Sequence, residues 1–530
     1  MKKLGIVIAV LIAIALAVAV LLFPRIQQWK LENQQHDLRI AIAEAAYLDQ
    51  AVQSSSTQID AQFIAVVGSS IFDQTLLAAK GLKVTLPSVG NATVEVVDSK
   101  IDFRDGFPAL TLAARATRPD LGNTAVDATI TATLVPTLDQ SNPGSNVGFR
   151  VRLVDVKPEF SWTGVSVKVR GFLQELARAK ASEFEDAVPT LTIPLQTSLA
   201  FQLPGQSMPT RIPTPDGWID STVQIPTMNV RWSISVKRLL FLSDGIHVAA
   251  SLGGNSQAVT PPVYSLDVPA DSKAVEARLD QEKKRISDLR AKLEAQFGKE
   301  KLQSSDLSLH ASPAFFTAIV DGLNSISPPL DITLGNVSEH DYIKQGGGAF
   351  GYYVELSGRN SLQAGASIRH FRASWSGPGQ VAIAADFTFS ASAQLAYHLK
   401  TGIGGGVGGS VGTHADKGGT ISGTVNFTTD GKKWPDYEIL LTGPPSMEVT
   451  LSAQIGRIGG VGFPVKFNLP VGTLAKGSAP ALFSQSGSLV IPLPDGNKQT
   501  RQYTLAITPQ TSAFDQNGFT TAAKVALAWH

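Results

Sequence analysis

The chain lacks cysteine altogether, and it is poor in charged residues. Among its 530 residues, 17% are Asp, Glu, Lys or Arg, against roughly 25% in an average soluble domain. The absence of cysteine excludes disulfides, thiolate metal sites and cysteine nucleophiles. Lys and Arg number 45 against 44 Asp and Glu, so the net charge of +1 argues against a nucleic-acid-binding surface. A chain of this length buries sufficient core without crosslinks, and we expect at least two folded units.

Long apolar runs are also absent, with one exception at the N-terminus. Met1-Lys2-Lys3 is followed by the twenty residues 4–23, which carry no charged or polar side chain. Twenty helical residues span about 30 Å, the thickness of a bilayer core, whereas cleaved signal peptides have shorter apolar regions. We therefore interpret residues 1–24 as a transmembrane signal-anchor. Because no second such run follows, the sequence predicts a single-pass inner-membrane protein with a cytoplasmic N-terminus and a periplasmic body.

A juxtamembrane helix is predicted over residues 25–53. Leu31, Leu38, Ala45 and Val52 recur every seven residues, with charged residues on the opposite face. This pattern allows an amphipathic helix that lies on the body of the protein, or a stalk that dimerises. The shortness of the repeat favours the first interpretation.

A connecting helix is predicted within residues 266–300, where Leu279, Ile286 and Leu293 form a second heptad line in a charge-rich segment. Three heptads are marginal for an independent coiled coil. A linking helix docked on its own chain is therefore favoured. The alternative is an intermolecular coil that builds a homo-oligomer or docks a protein partner of the cell envelope.

The segments 54–265 and 301–530 are predicted as two β-rich modules. Apolar and polar residues alternate in both, most clearly over residues 387–399, as in half-buried antiparallel strands. Short helices capped by Ser70 and by Ser312 begin the two modules, and Gly245 and Gly518 each mark a turn before a closing strand. The repeated order suggests duplication. The predicted fold class is α+β and β-rich: a transmembrane helix, then two curved antiparallel sheets wrapped on helices and joined by the charged helix.

The order of elements over residues 70–195 resembles the tubular lipid-binding (TULIP) class, especially its small bacterial periplasmic members. The capped helix at 70–81 is followed by a hairpin phrase at 101–107, the phrase at 154–160, and an amphipathic helix that ends at 188–195. The resemblance implies a curved sheet around a long helix, an apolar groove for acyl chains, and no catalysis. The second half has the first helix but no matching long second helix.

The residues themselves also favour an apolar ligand, because small inward side chains leave space that larger ones would fill. The alternative is that helices fill this space completely. No cofactor or metal is predicted. The groove candidates are Phe72, Leu76, Ala128, Ile130, Ala132, Phe172, Leu176, Phe316, Val320, Ala391 and Ala393.

Two formal motifs for chemistry overlap within residues 402–412. Residues 408–412 read Gly-Gly-Ser-Val-Gly, the nucleophile-elbow pattern, and residues 404–409 match the dinucleotide fingerprint. Neither is followed by the helix that its chemistry requires, so a serine hydrolase built on Ser410 is the remotest alternative. A flexible hairpin tip or a close approach of backbones is the preferred interpretation.

The remaining polar clusters are interpreted as structural. The eight histidines show no zinc-ligand spacing, residues 339–341 (Glu-His-Asp) are expected in a solvated loop, and residues 102–105 in a charge-paired hairpin turn.

The sequence supports two hypotheses of function, which belong to different classes of protein. The leading hypothesis is an anchored periplasmic protein that binds lipid or another amphipathic ligand for sequestration or transfer. The alternative is a structural scaffold of the envelope that assembles through its helices.

Overall fold

The structure is a computed structural model in which described and undescribed segments alternate along the chain. The body of the predicted amphipathic helix that precedes residues 188–195 lies outside the described residues. The described residues are 2–55, 60–76, 80–81, 83–86, 90–118, 125–137, 146–159, 191–214, 217–254, 261–297, 305–325, 330–335, 340–346, 353–358, 363–401, 405–431, 433–443, 447–454, 460–467, 472–479, 482–483, 486–492 and 498–529.

The described residues form four α-helices and 26 strands in antiparallel sheets, so the β-rich character expected from the alternating pattern is confirmed. A short 3-10 helix, Gly322–Ser325, follows the last of these α-helices. The α-helices are α1 (Lys2–Ser55), α2 (Ser69–Leu76), α3 (Ser272–Phe297) and α4 (Pro313–Asp321).

A central sheet of eight strands joins the two halves of the chain. Four strands come from each half, and β1 and β13 meet in the middle. In spatial order the strands are β24 (Ser486–Pro492), β25 (Lys498–Asp515), β26 (Gly518–Trp529), β13 (Leu307–Ala311), β1 (Phe63–Gly68), β12 (Gly245–Leu252), β11 (Met228–Leu242) and β8 (Ser198–Leu203).

The central sheet is built on an approximate two-fold relation between β1 and β13. Phe63 lies opposite Ala311 and Val67 lies opposite Leu307, so the two strands exchange places under a half-turn. Each strand pairs on its other side with the closing strand of its own half, β12 or β26. Each is also followed at once by a short helix, α2 or α4. The duplication suggested by the glycine turns is therefore visible in the strand order.

Backbone hydrogen bonds repeat this relation. The amide of Gln62 donates to the carbonyl of Ala250 at 3.0 Å, and the amide of Asp306 donates to Ala523 at 2.9 Å. The side-chain oxygens of Gln62 and Asp306 then accept from the backbone amides two residues beyond those carbonyls. Equivalent hydrogen bonds at equivalent positions indicate that both halves fold by one local plan.

The first module is completed by a six-stranded sheet that encloses α2. Its inner face belongs to one continuous apolar core that extends through the central sheet into the second module. The strands, in spatial order, are β2 (Lys83–Leu86), β3 (Ala92–Arg104), β4 (Phe107–Thr117), β5 (Ala125–Thr137), β6 (Asn146–Pro158) and β7 (Leu191–Gln196).

The second module contains the largest sheet, and two of its strands come from the range 54–265 that the sequence assigns to the first module. This exchange arises because the hairpin β9–β10 reaches across to pair with β14. The main path is β23 (Gly472–Ser478), β20 (Asp436–Gly443), β19 (Gly405–Thr428), β18 (Gln380–Thr401), β17 (Gln363–Gly377), β14 (Leu330–Gly335), β10 (Gly217–Ile225) and β9 (Gln206–Thr214). The strands off this path are β15 (His340–Gly346), β16 (Tyr353–Gly358), and the separate ribbon of β21 (Met447–Gln454) and β22 (Gly460–Phe467).

Helices α1 and α3 lie side by side, and the heptad lines of both are buried in one apolar cluster. The two helices run in the same direction, because Gln34 contacts Ser272 and, further along both, Glu44 contacts Arg290. Leu279, Ile286 and Leu293 therefore pack within their own chain, and α1 occupies the face that an intermolecular coil would need. Helix α1 also covers the outer face of β4 and β6.

The N-terminal segment stays a prediction. Among the residues whose side chains are described, no helix has both the length and the apolarity that crossing a membrane requires. The side chains of the predicted anchor, residues 4–23, lie outside that set, although the backbone of α1 is described as one helix from Lys2 to Ser55.

Several local expectations are wrong. Of the predicted hairpin tip at 402–412, residues 405–412 are part of β19 and pair along their length with residues 394–401 of β18, and residues 402–404 lie outside the described residues. His340 and Asp341 begin β15 and do not lie in a loop. The hydroxyl groups of Ser70 and Ser312 do not cap helices, because they donate to Asp306 Oδ1 and to the Gln62 carbonyl across the two-fold contact.

Candidate functional site

The interior of the first module is closed at one end by aromatic rings. Phe72, on α2, lies with its ring centroid 5.1 Å from Phe103 and 6.1 Å from Phe149, and Phe241 touches both of these rings. Phe72 is buried because α2 places it, with Leu76, on the helix face that meets the sheet. Such ring clusters fill space tightly, so this end offers no room for a ligand.

The same inner face carries small residues further along its strands. Ala114 on β4 lies directly opposite Ala128 on β5, and Ala116 lies opposite Val126. All are buried in the common core, together with Ala92 on β3. An alanine on a sheet face extends only one carbon from the backbone, so the volume above it must be filled by another element or by a ligand.

The second module has an aromatic cluster equivalent to the one around Phe72. Phe316 and Val320 of α4 correspond by the two-fold relation to Phe72 and Leu76 of α2. The ring of Phe316 lies 5.5 Å from Trp375 and 4.8 Å from Phe427. The predicted site residues of both short helices therefore occupy equivalent, filled positions at the base of each module.

Small residues also line the second module, where three alanines stand in one row across three strands. Ala391 of β18 lies opposite Ala364 of β17 and opposite Ala415 of β19. One step along, Ala393 lies opposite Thr413, whose hydroxyl group donates to the carbonyl of Ser452 at 2.8 Å. That hydrogen bond joins β19 to the ribbon β21–β22, which packs over this part of the sheet.

The predicted groove residues divide into three groups. Phe72, Leu76, Ala128, Ile130, Ala132, Phe316 and Val320 are buried and belong to the single core cluster. Ala391 and Ala393 are buried on β18, under the ribbon. Phe172 and Leu176 lie outside the described residues.

A polar site that the sequence analysis missed surrounds Glu44 of α1. This carboxylate is 4% exposed, and it accepts from Arg104 Nη1 at 3.1 Å and from Arg290 of α3. Arg104 also donates to Asp102 at 2.9 Å, so the predicted charge-paired turn is present and is extended to α1. The sequence shows only that Glu44 lies on the polar face of an amphipathic helix. Its partners Arg104 and Arg290 lie far along the chain, so the pattern could not predict them.

Two further contacts bind α1 to the outer face of the first module. Asp155 of β6, which is buried, accepts from Arg39 Nη1 at 3.1 Å and contacts His36. Tyr47 packs against Phe107 and Tyr264. Burial raises the pKa of the Tyr47 phenol well above its usual range, and the neighbouring Tyr264 adds a smaller increase. The ion pair at Asp155 and the aromatic contacts of Tyr47 together hold α1 on the sheet.

The formal catalytic motif has the wrong geometry. Ser410 lies inside β19, opposite Ala396, and the strand continues to Thr428 without the turn and helix that an elbow requires. Among the described residues, no three His, Asp or Glu side chains are placed to hold a metal ion. Trp232 is buried, Trp375 packs on Phe316, and Trp434 packs on Phe519 with ring centroids 5.8 Å apart.

Comparison with protein-family models gives no match, and comparison with curated proteins gives none. Similar solved structures include P47 of Clostridium botulinum E1, P47 from Clostridium botulinum A2 and a lipopolysaccharide binding protein. Their sequence identities to this chain are 8%, 10% and 9%, and the TM-scores are 0.28, 0.24 and 0.20. The matches cover 88% of this chain in each case, and 98%, 97% and 99% of the other chains. These TM-scores are below 0.5, so the fold and the site rest on the topology and residues of this chain.

Proposed function

We propose that this chain binds a lipid or another amphipathic molecule in the apolar interior of its β modules, for sequestration or transfer. The observation that carries the proposal is the division of each inner face. One end is filled by aromatic rings around a short helix, and the other end is lined by alanines. A ligand with an apolar chain fits over the alanines and is stopped by the rings.

The driving force would be the burial of methylene groups. Each CH₂ removed from water contributes about 0.8 kcal/mol, so ten buried methylenes supply about 8 kcal/mol before the entropy of ordering the chain is subtracted. The row Ala364, Ala391 and Ala415 supports this site in the second module, because the ribbon β21–β22 covers it and shields it from water.

The proposal includes a location. Residues 4–23 would anchor the chain in the inner membrane, and the body would lie in the periplasm. The support is the length and composition of this apolar run and the continuity of α1, which carries the helix from the run directly onto the first module. An anchored binding protein meets one membrane permanently and collects or delivers its ligand there.

The test is lipid content of the full-length chain. The protein is purified from cell membranes in a mild detergent and extracted with organic solvent, and the extract is analysed by mass spectrometry. Ala114→Trp and Ala391→Trp place an indole over the small-residue ends. Ala113→Trp and Thr388→Trp place it on exposed positions of the same strands as matched controls. We expect a stoichiometric lipid in the wild type and in the controls, and loss of it in the inward variants.

A ligand site and a filled core give opposite results in these variants. If helices fill the interior, an inward tryptophan overpacks it and destabilises the protein by about 1–3 kcal/mol, and no lipid is found in any variant. Absence of co-purifying lipid in the wild type, together with no binding of fluorescent lipids, contradicts the proposal.

A further inference from the structure

A pocket lies outside the β modules, in the cleft between α1 and α3. Its volume is about 480 Å³, within the range of small-molecule sites. The cleft is lined by Asp37, Ile40, Ala41 and Glu44 of α1, by Leu279, Lys283, Ile286, Ser287 and Arg290 of α3, and by Arg104 from the β3–β4 turn.

Each helix contributes one face to this cleft. The α1 residues are spaced by three, four and seven positions, and the apolar ones on both helices belong to the buried cluster between them or border it. The floor is therefore apolar, while the exposed residues Asp37 and Lys283 stand at the rim. The lining contains three basic side chains and two acidic ones.

Three polar groups of the cleft lining have no ion-pair or hydrogen-bond partner among the described residues. Glu44 is occupied by Arg104 and Arg290. Asp37 and Lys283, in contrast, have no ion-pair partner within the part of the chain that the structure describes. The Nε atom of Arg290 is buried and has no hydrogen-bond partner among the described residues. One acceptor group and two donor groups thus face the same cleft.

We propose that this cleft binds a small zwitterion that carries a primary ammonium and a phosphate group. The ammonium donates to the Asp37 carboxylate, and the phosphate accepts from Lys283 and from the exposed part of the Arg290 guanidinium, whose side chain is 40% exposed. Lys283 and Arg290 are seven residues apart on α3, and a tetrahedral phosphate has enough oxygens to accept from both. The apolar floor receives the short carbon linker. This site does not depend on lipid binding in the β modules.

The same chemistry occurs in free phosphoethanolamine and in the headgroup of phosphatidylethanolamine. Isothermal titration calorimetry of the full-length chain in a maltoside detergent uses O-phosphoethanolamine and a short-chain phosphatidylethanolamine as separate probes. Saturable binding of both shows that a headgroup can enter the cleft, and binding of the free compound alone limits the ligand to soluble zwitterions. Phosphocholine should bind at least tenfold more weakly than phosphoethanolamine, because its quaternary ammonium has no N–H to donate to Asp37.

Matched variants decide the outcome. Lys283→Gln and Asp37→Asn should each weaken phosphoethanolamine binding at least tenfold. Lys284→Gln, on the next position of α3 and outside the cleft, should change it less than twofold. Neither changed residue has an ion-pair partner in the described structure to lose, so folding should be unaffected, and circular dichroism checks this. No saturable heat in the wild type, or equal binding by Lys283→Gln and Lys284→Gln, would overturn the proposal.

Discussion

The hub at Glu44 predicts a large and local loss of stability when its charge is removed. In Glu44→Gln the side chain keeps its shape, but Arg104 and Arg290 lose the carboxylate between them. Arg104 retains Asp102, whereas Arg290 has no second ion-pair partner among the described residues. The contact that is weakened most is therefore the one between Arg290 and Glu44, which holds α3 against α1.

The magnitude follows from burial. A hydrogen bond to a charged group contributes about 1.5–3 kcal/mol, so two of them give an upper bound of about 3–6 kcal/mol. The side chains of Arg104 and Arg290 are about two-fifths exposed, at 39% and 40%, and water therefore replaces part of the loss. We expect Glu44→Gln to lower the free energy of unfolding by about 2–4 kcal/mol.

The control is Asp49→Asn on the same helix. Asp49 contacts Arg285 at 2.8 Å, but both side chains are well exposed, so its loss should be below about 1 kcal/mol. Urea unfolding of the full-length chain measures both variants, and amide hydrogen exchange should rise in α1 and α3 of Glu44→Gln alone. Equal stability of the two variants would refute the view that burial makes Glu44 decisive.

Two other predictions concern the backbone and the alkaline range. Alanine at Gly245 would place its Cβ atom 2.1 Å from the carbonyl oxygen of Val67 on β1, and alanine at Gly518 would place it 2.0 Å from the carbonyl oxygen of Ala311 on β13. Both glycines also have positive φ, so either substitution should lower the free energy of unfolding by about 2–6 kcal/mol. Gly253→Ala, where φ is also positive but no described atom lies within 4 Å, should cost only about 1 kcal/mol, and thermal melting compares the three. A raised pKa in the folded state means that the stability associated with Tyr47 is complete below the unfolded value of 10 and is lost as the pH rises above it. Tyr47→Phe should therefore reduce the fall in melting temperature above pH 10, and an unchanged fall would contradict this assignment.

The sequence predicted local structure well where one physical pattern dominated. Alternation over residues 387–399 located β18, and the heptad line at Leu279 located α3 and its buried face. These patterns succeed because the side chains of one strand or one helix face share a single environment. The turn glycines Gly245 and Gly518 indicated the duplication for a similar reason, since each permits the same close approach of two backbones.

The glycine-rich segment shows where composition misleads. Glycine disfavours strands because it has no side chain to pack, yet residues 405–412 form a regular ladder with β18. Further along β19, a side chain of the neighbouring strand covers a glycine. The ring of Phe387 packs over Gly419, so closely that a Cβ atom on Gly419 would lie 2.8 Å from it. Such compensation depends on the partner strand, which cannot be read from the segment itself.

The candidate sites show the same limit. The sequence identified inward alanines on β5 and β18, but it could not predict that Ala391 stands in a row with Ala364 and Ala415. The cleft between α1 and α3 combines residues more than two hundred positions apart, so no local pattern could reveal it. Register and long-range pairing are fixed by the whole sheet, not by individual segments.

The position of β1 and β13 in the middle of the central sheet has a consequence for how the chain must fold. β1 lies between β12 and β13, and β13 has its outer partner in β26, the last of the described strands. During synthesis, β13 therefore has an unpaired edge until β26 has emerged. The most aggregation-prone interval should therefore be the one before β26 pairs, because the edge of β13 in the middle of the central sheet is open until then.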